Sequence, residues 1–123
     1  MGAGGSRREL GQRGEAVAAA HLRRSGLRVV ARNWRCRQGE LDVVALDGEQ
    51  LVVVEVKARR SLGQGHPAEA VTPVKAARLR RLSAAFLAAH PGLPGRAEVR
   101  VDVVAVVFRR GRPALLQHLR GIA

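Results

Sequence analysis

Four charged residues sit at a spacing that could do chemistry. Glu40 and Asp42 are two apart, as are Glu55 and Lys57, and both pairs fall in segments that read as β-strands. Residues two apart on a strand point to the same face. A turn at Asp47-Gly48 would fold the two segments into a hairpin. A two-residue turn sets Glu40 opposite Glu55, whereas a four-residue turn over 47–50 sets Asp42 opposite Glu55 and Glu40 opposite Lys57. The longer turn is favoured because it pairs Leu46 with Leu51. Either keeps all four side chains on one face; only a three-residue turn would separate them. Opposed strand side chains have Cβ atoms about 4.5–5.5 Å apart. Carboxylates that close repel each other unless a cation bridges them. A few oxygen donors with no His or Cys beside them suit Mg²⁺ or Mn²⁺ rather than Zn²⁺. Such an ion can activate a bound water and neutralise charge on a phosphodiester transition state.

Lys57 is informative by its type. The chain has 20 Arg and only 2 Lys, so arginine is its default cation. Arginine keeps its proton in a protein, whereas a lysine can orient or help deprotonate a water. The other lysine, Lys75, falls in the first turn of a helix, where a cation opposes the helix dipole. A lysine beside free N–H groups could hold a phosphate there, although an ordinary surface lysine fits as well. Asp102 lies inside an apolar strand two residues from Arg100, and an ion pair between them is the cheapest way to bury it. Trp34 could stack on a base or plug the core. His21, His66, His90 and His118 show no metal-ligand spacing, and Cys36 has no activating base near it in sequence.

The elements that must position these residues follow from local signals. Ser6-Arg7-Arg8-Glu9 is a capping box, opening a helix that runs to about residue 25 and stops at Gly26. Residues 27–32, 40–46 and 51–57 read as strands, and 61–67 as a mobile loop. Thr72-Pro73 supplies an N-cap and an N1 proline for a second helix ending near residue 90. A turn at 92–96 leads to a valine-rich strand over 98–108, and a turn over 109–113 to a short strand over 114–118. The order α-β-β-β-α-β-β predicts an α/β domain with a mixed sheet flanked by helices. Gly11 and Gly14 each cost a helix about 1 kcal/mol, which a close approach of that helix to the sheet or to DNA would explain.

Composition sets the outer bounds. The 123 residues suit one domain, 9–123, behind a Gly-rich disordered tail over 1–8. The longest apolar runs are six residues, so a membrane-spanning helix is excluded. Met1–Ser6 formally fits a myristoylation pattern, but a Gly-rich tail is expected rather than a lipid anchor. Ser6-Arg7-Arg8 hints at a twin-arginine signal, but no apolar stretch follows it, so an export signal is rejected. One cysteine excludes an internal disulfide and suits the reducing cytoplasm. A net charge of +12 attracts polyanions, nucleic acid first.

Asp42 followed by Glu55-Val56-Lys57 resembles the PD-(D/E)xK nuclease signature, whose fold has this helix–three strands–helix–strand order. More narrowly, the chain resembles the YraN-like family of small bacterial proteins, predicted endonucleases distantly related to archaeal Holliday-junction resolvases. The matching stretches are residues 11–15, 32–36, 39–42, 54–59 and 100–104. Val101 departs from them, since the family more often has Phe there. The resemblance implies a restriction-endonuclease-like fold and a Mg²⁺- or Mn²⁺-dependent endonuclease acting on DNA, branched or single-stranded DNA included. It implies that Asp42, Glu55 and the Val56 carbonyl hold the metal, with Glu40 tuning the site. Lys57 positions the attacking water, and Glu15 matches a position where resolvase-like relatives carry an extra acid. Lys75, Arg32, Arg35, Arg59 and Arg78 are the expected nucleic-acid contacts, and resolvase-like relatives act as homodimers. Two other readings stay open: a nucleic-acid-binding module that does not cut, and a basic adaptor for another protein.

Overall fold

Ser6 caps the first helix by a reciprocal contact: its hydroxyl accepts the Glu9 N–H, and its own N–H donates to the Glu9 carboxylate, both at 3.1 Å. Helix α1 (Arg7–Arg24) follows directly, and Gly26, at φ +92°, reverses the chain after it. Arg7 and Arg8, expected in the tail, are therefore helical. The computed structural model describes residues 6–63, 65–94 and 98–123. Residues 1–5 of the expected tail, Gln64 of the expected loop, and Gly95 and Arg96 of the expected turn lie outside the described residues.

After α1 come β1 (Arg28–Cys36), β2 (Gly39–Asp47) and β3 (Gln50–Arg59), a short 3-10 turn (Pro67–Ala70), α2 (Pro73–Ala89), β4 (Val99–Arg109) and β5 (Arg112–Leu119). The strands lie side by side in chain order, antiparallel except for the parallel pair β3/β4 that α2 connects. This is the expected α-β-β-β-α-β-β mixed sheet. The first strand is longer than its pattern predicts, reaching Cys36 rather than residue 32, because it bends through Asn33 without ending. No helix among the described residues is long and apolar enough to cross a membrane.

Alternation along the strands divides the core between the two helices. Val52 and Val54 of β3, with Val43 and Ala45 of β2, pack under Ala18 and Leu22 of α1. Leu51 and Val53, with Val44 and Leu46, pack under Leu79, Leu82 and Phe86 of α2. The central strands are buried on both faces, as their valine runs require. Trp34 is a core plug, meeting the Phe86 ring edge-on at 5.2 Å. Gly14 lets α1 press on β3: a Cβ there would lie 2.6 Å from the Ala58 Cβ. Gly11 has no such neighbour.

Candidate active site

The hairpin adopts the four-residue turn, pairing Leu46 with Leu51 and Asp47 with Gln50. That register, continued, would bring Asp42 against Glu55 and Glu40 against Lys57. The ladder instead ends at Val43–Val54. One residue beyond, Asp42 Oδ2 accepts the Val56 N–H at 2.9 Å, replacing a backbone acceptor with a carboxylate. Glu40 has turned towards β1, where it meets Arg35 at 3.2 Å. The opposition of Glu40 to Lys57 therefore does not form.

The cause lies in β1. Asn33 has φ +53°, the one left-handed non-glycine backbone among the described residues. Regular pairing of β1 with β2 runs from Arg32–Val43 to Trp34–Leu41 and skips the Asn33–Asp42 step. Across that step the alternation reverses: Val43 faces α1, whereas Leu41 and Trp34 face α2. The ribbon is creased at Asp42, the point at which the β2–β3 ladder ends. Asparagine tolerates this backbone better than other residues with a Cβ.

Glu55, only 7% exposed, lies just past that end of the ladder. Its Oε2 lies 2.7 Å from Lys75 Nζ and 4.0 Å from Lys57 Nζ. Lys75 is delivered by the first turn of α2, where Thr72 caps the helix by accepting the Lys75 N–H. Its contact with Glu55 offsets the unfavourable placement of a cation at that helix end. Asp42, Glu55, Glu40, Lys75 and Arg78 line one cavity of about 260 Å³. Burial, then the nearby Glu55 and Glu15 charges, push the Asp42 carboxyl up to about 7, against the pull of the Val56 N–H and Lys75. Two carboxylates thus share a partly dry site at a cost in charge repulsion.

Glu15 of α1 lies beside this pair. Burial raises its carboxyl, and the Glu40 charge adds to that, while a hydrogen bond from the Asn33 side chain opposes both. Its Oε1 is buried and has no hydrogen-bond partner among the described residues. With Asn33, Arg35, Glu40 and Arg8 it borders a second polar cavity of about 540 Å³. The site residues read from sequence are therefore gathered unevenly. Asp42, Glu55, Glu40, Lys75 and Arg78 converge; Glu15 and Arg35 border the adjoining cavity; Arg32 is close enough to act on the Glu15 charge. Lys57 and Arg59 continue along β3 into a separate cleft. Asn33, which sets the crease, lies in a stretch that matches the family, but nothing in its spacing marks it as a site residue.

A divalent ion fits the donor set without being demanded by it. No three His, Cys, Asp or Glu side chains converge as a ready-made cage among the described residues. Mg²⁺ binds through one or two carboxylates and retains waters. The orphaned Glu15 oxygen and the raised Asp42 carboxyl are both groups that a nearby cation would relieve.

On β4, where it pairs with Val54 of β3, Asp102 is satisfied. Arg100 grips it with two bonds of 2.9 and 3.0 Å, and the Gly121 N–H donates to it at 2.9 Å. His118 Nε2 lies 2.8 Å from Asp102, and His118 Nδ1 lies 3.0 Å from His21 Nε2. The Arg100 ion pair is the expected one. The two histidines join it across 97 residues of chain, a distance at which spacing rules are silent.

A family profile described as uncharacterised protein family UPF0102 matches residues 14–106. A UPF0102 protein of Kineococcus radiotolerans is 56% identical over 115 residues, covering 93% of each chain. One of Beutenbergia cavernae is 58% identical over 113 residues, covering 92% of this chain and 94% of its own. One of Acidothermus cellulolyticus is 48% identical over 128 residues, covering 98% and 97%. At that identity and coverage, the chain belongs to the UPF0102, or YraN-like, family.

Proposed function

We propose that this protein is a metal-dependent endonuclease of the PD-(D/E)xK class on a restriction-endonuclease-like fold, hydrolysing phosphodiester bonds in DNA. The observation that carries the reading is the paired carboxylates, half-buried Asp42 and buried Glu55, held where the β2–β3 ladder ends, with Lys57 beside them. Mg²⁺ or Mn²⁺, when bound, supplies a Lewis acid for the phosphate and a water of lowered pKa. Asp42 and Glu55, with the Val56 carbonyl, hold that ion, and Glu40 and Glu15 tune it. Lys57 orients the water that attacks phosphorus as the P–O bond to the leaving oxygen breaks. Lys75, Arg32, Arg35, Arg59 and Arg78 hold the flanking phosphates without reading sequence. The working unit is a cytoplasmic homodimer, the arrangement suited to branched DNA.

A panel of branched, flapped, single-stranded and duplex DNA, incubated with Mg²⁺, Mn²⁺ or EDTA, tests the reading. Cleavage is expected with metal only and is lost in Lys57→Ala, which still binds. The logarithm of affinity should fall against the logarithm of salt with a slope of about −4 or steeper for several phosphate contacts. A flat salt response refutes nucleic-acid binding altogether. One observation favours a non-cutting binding module instead: Lys75 already neutralises Glu55 at 2.7 Å. Salt-dependent binding without cleavage under any metal would decide for that module.

A further inference from the structure

Helix α2 covers only part of its side of the sheet. Its core cluster draws on β2, β3 and Val101 of β4, with no residue of β5. Beyond the helix, among the described residues, the same face carries the short 3-10 turn against β3 and β4, and cross-strand pairing arranges the rest in two rows. Lys57, Ala105 and Gln117 form one row; Arg59, Val107 and Leu115 form the next. These rows floor a cleft of about 390 Å³, with Leu62 and Pro67 on one wall. The described residues leave three large apolar side chains exposed, and two of them, Leu62 at 70% and Leu115 at 40%, belong to this cleft. An apolar recess rimmed by cations has the character of a binding site.

The geometry points to a pocket for one unpaired nucleobase of the strand being cut. This inference rests on the nuclease reading and sharpens its substrate class. The cleft starts at Lys57, whose ammonium is 4.0 Å from Glu55, so its mouth adjoins the proposed cleavage site. Arg59 lies two residues further along β3, about 7 Å on, where a neighbouring phosphate would pass. Its guanidinium also reaches the Gly65 carbonyl at 3.5 Å. Aliphatic walls can sandwich a flat base lifted from its stack. Gln117 supplies at the floor an amide that both donates and accepts, as a base edge requires. An apolar peptide would gain nothing from the two cations or from the +12 charge of the chain. The preferred substrate is therefore DNA with an unpaired nucleotide beside the scissile phosphate: a flap, bulge, branch or single strand.

The test compares two duplexes of equal length in EDTA, one fully paired and one carrying a single bulged 2-aminopurine. The protein should bind the bulged duplex about tenfold more tightly, with a change in 2-aminopurine fluorescence. Ala105→Phe fills the floor and should bring the two affinities within about twofold, leaving paired-duplex affinity and salt slope unchanged. Leu115→Ser, on the rim, should also lower the preference and serves if Ala105→Phe does not fold. Equal wild-type affinities, or a preference that survives both substitutions, overturn the pocket while leaving the nuclease reading standing. A wild type that sediments as a dimer while Ala105→Phe is monomeric gives the cleft to a second copy and also overturns it. Failure to bind either duplex removes both the pocket and the nuclease reading.

Discussion

Asp42→Asn should make the metal-free protein more stable, although it removes a proposed ligand. The asparagine oxygen can still accept the Val56 N–H, which now reaches Asp42 at 2.9 Å. What disappears is a charge that burial, Glu55 and Glu15 make costly. The carboxyl is raised from an ordinary 3.8 to about 7. A shift of roughly three units corresponds to about 4 kcal/mol once the group is fully ionised. Burying the amide in its place returns about 1 kcal/mol, so the net gain expected at pH 8 is about 3 kcal/mol. For a domain of this length that is about 10 °C in Tm.

The pH dependence has a definite sign. Below 3.8 the carboxyl is protonated in both folded and unfolded chains, and the variant has no electrostatic advantage. As pH rises from there, the unfolded chain releases the proton while the folded chain keeps it, so wild-type stability falls relative to the variant. The gap is complete above pH 7 and constant beyond it. Melting curves from pH 4 to 9 in EDTA read the whole profile. Mg²⁺ should then stabilise the wild type by about 2.7 kcal/mol at a hundredfold excess over Kd, raising its Tm, and stabilise the variant less. Parallel wild-type and variant curves across pH, or equal responses to Mg²⁺, would refute the shared-site argument.

Three further outcomes follow from the packing. Lys75→Met strands the buried Glu55 carboxylate and should cost about 2 kcal/mol in EDTA, a loss that Mg²⁺ partly reverses; an unchanged Tm would make Lys75 an ordinary surface lysine. Gly14→Ala drives a methyl into Ala58, and the overpacking, about 1–3 kcal/mol, should exceed the helix-propensity gain of about 1 kcal/mol. Thermal unfolding checks this, and a more stable variant contradicts the close approach of α1. Asp102→Asn loosens the Arg100–His118 network and should cost about 3 kcal/mol at pH 7, measured by denaturant midpoint. Burial pushes the Asp102 carboxyl up, but bonds from Arg100, Gly121 and His118 hold it below the ordinary 3.8. Its contribution is therefore present at neutral pH and is lost as pH falls below 3.8 towards the folded value.

Local signals carried much of the architecture. The Ser6–Glu9 box, the Thr72-Pro73 cap and the Asp47-Gly48 turn are short-range devices, and each appears where the chain announces it. Register was legible because burial of Leu46 and Leu51 penalises a slip of one residue. The charge of Asp102 made its Arg100 partner predictable, since a buried aspartate needs a cation nearby. Strand alternation misled at Glu40, because period-2 reasoning assumes a continuous pleat and Asn33 breaks it. The Lys75–Glu55 contact was hidden for another reason. It depends on how α2 crosses from β3 to β4, a tertiary placement that no local spacing encodes. The His21–His118 contact is hidden in the same way, closing between the first helix and the last strand.

The two acid clusters, around Asp102 and around Asp42, differ in what they tolerate. Around Asp102 every charge meets a partner, and the arrangement stabilises the fold without leaving anything for a ligand to add. Around Asp42 the fold retains several costs together: a left-handed Asn33, a carboxyl raised to about 7 and an oxygen on Glu15 without a partner among the described residues. Left-handed backbone at a residue with a Cβ costs about 1–3 kcal/mol, and a buried unsatisfied acceptor about as much. None of these supports packing that a plainer sequence could not achieve. Local rules broken together in one small region are expected where a site has been placed at the expense of stability. The two electrostatic costs, the raised Asp42 carboxyl and the unpartnered Glu15 oxygen, share one remedy, a cation between the acids, and this is the physical reason for proposing the chemistry at Asp42 and Glu55.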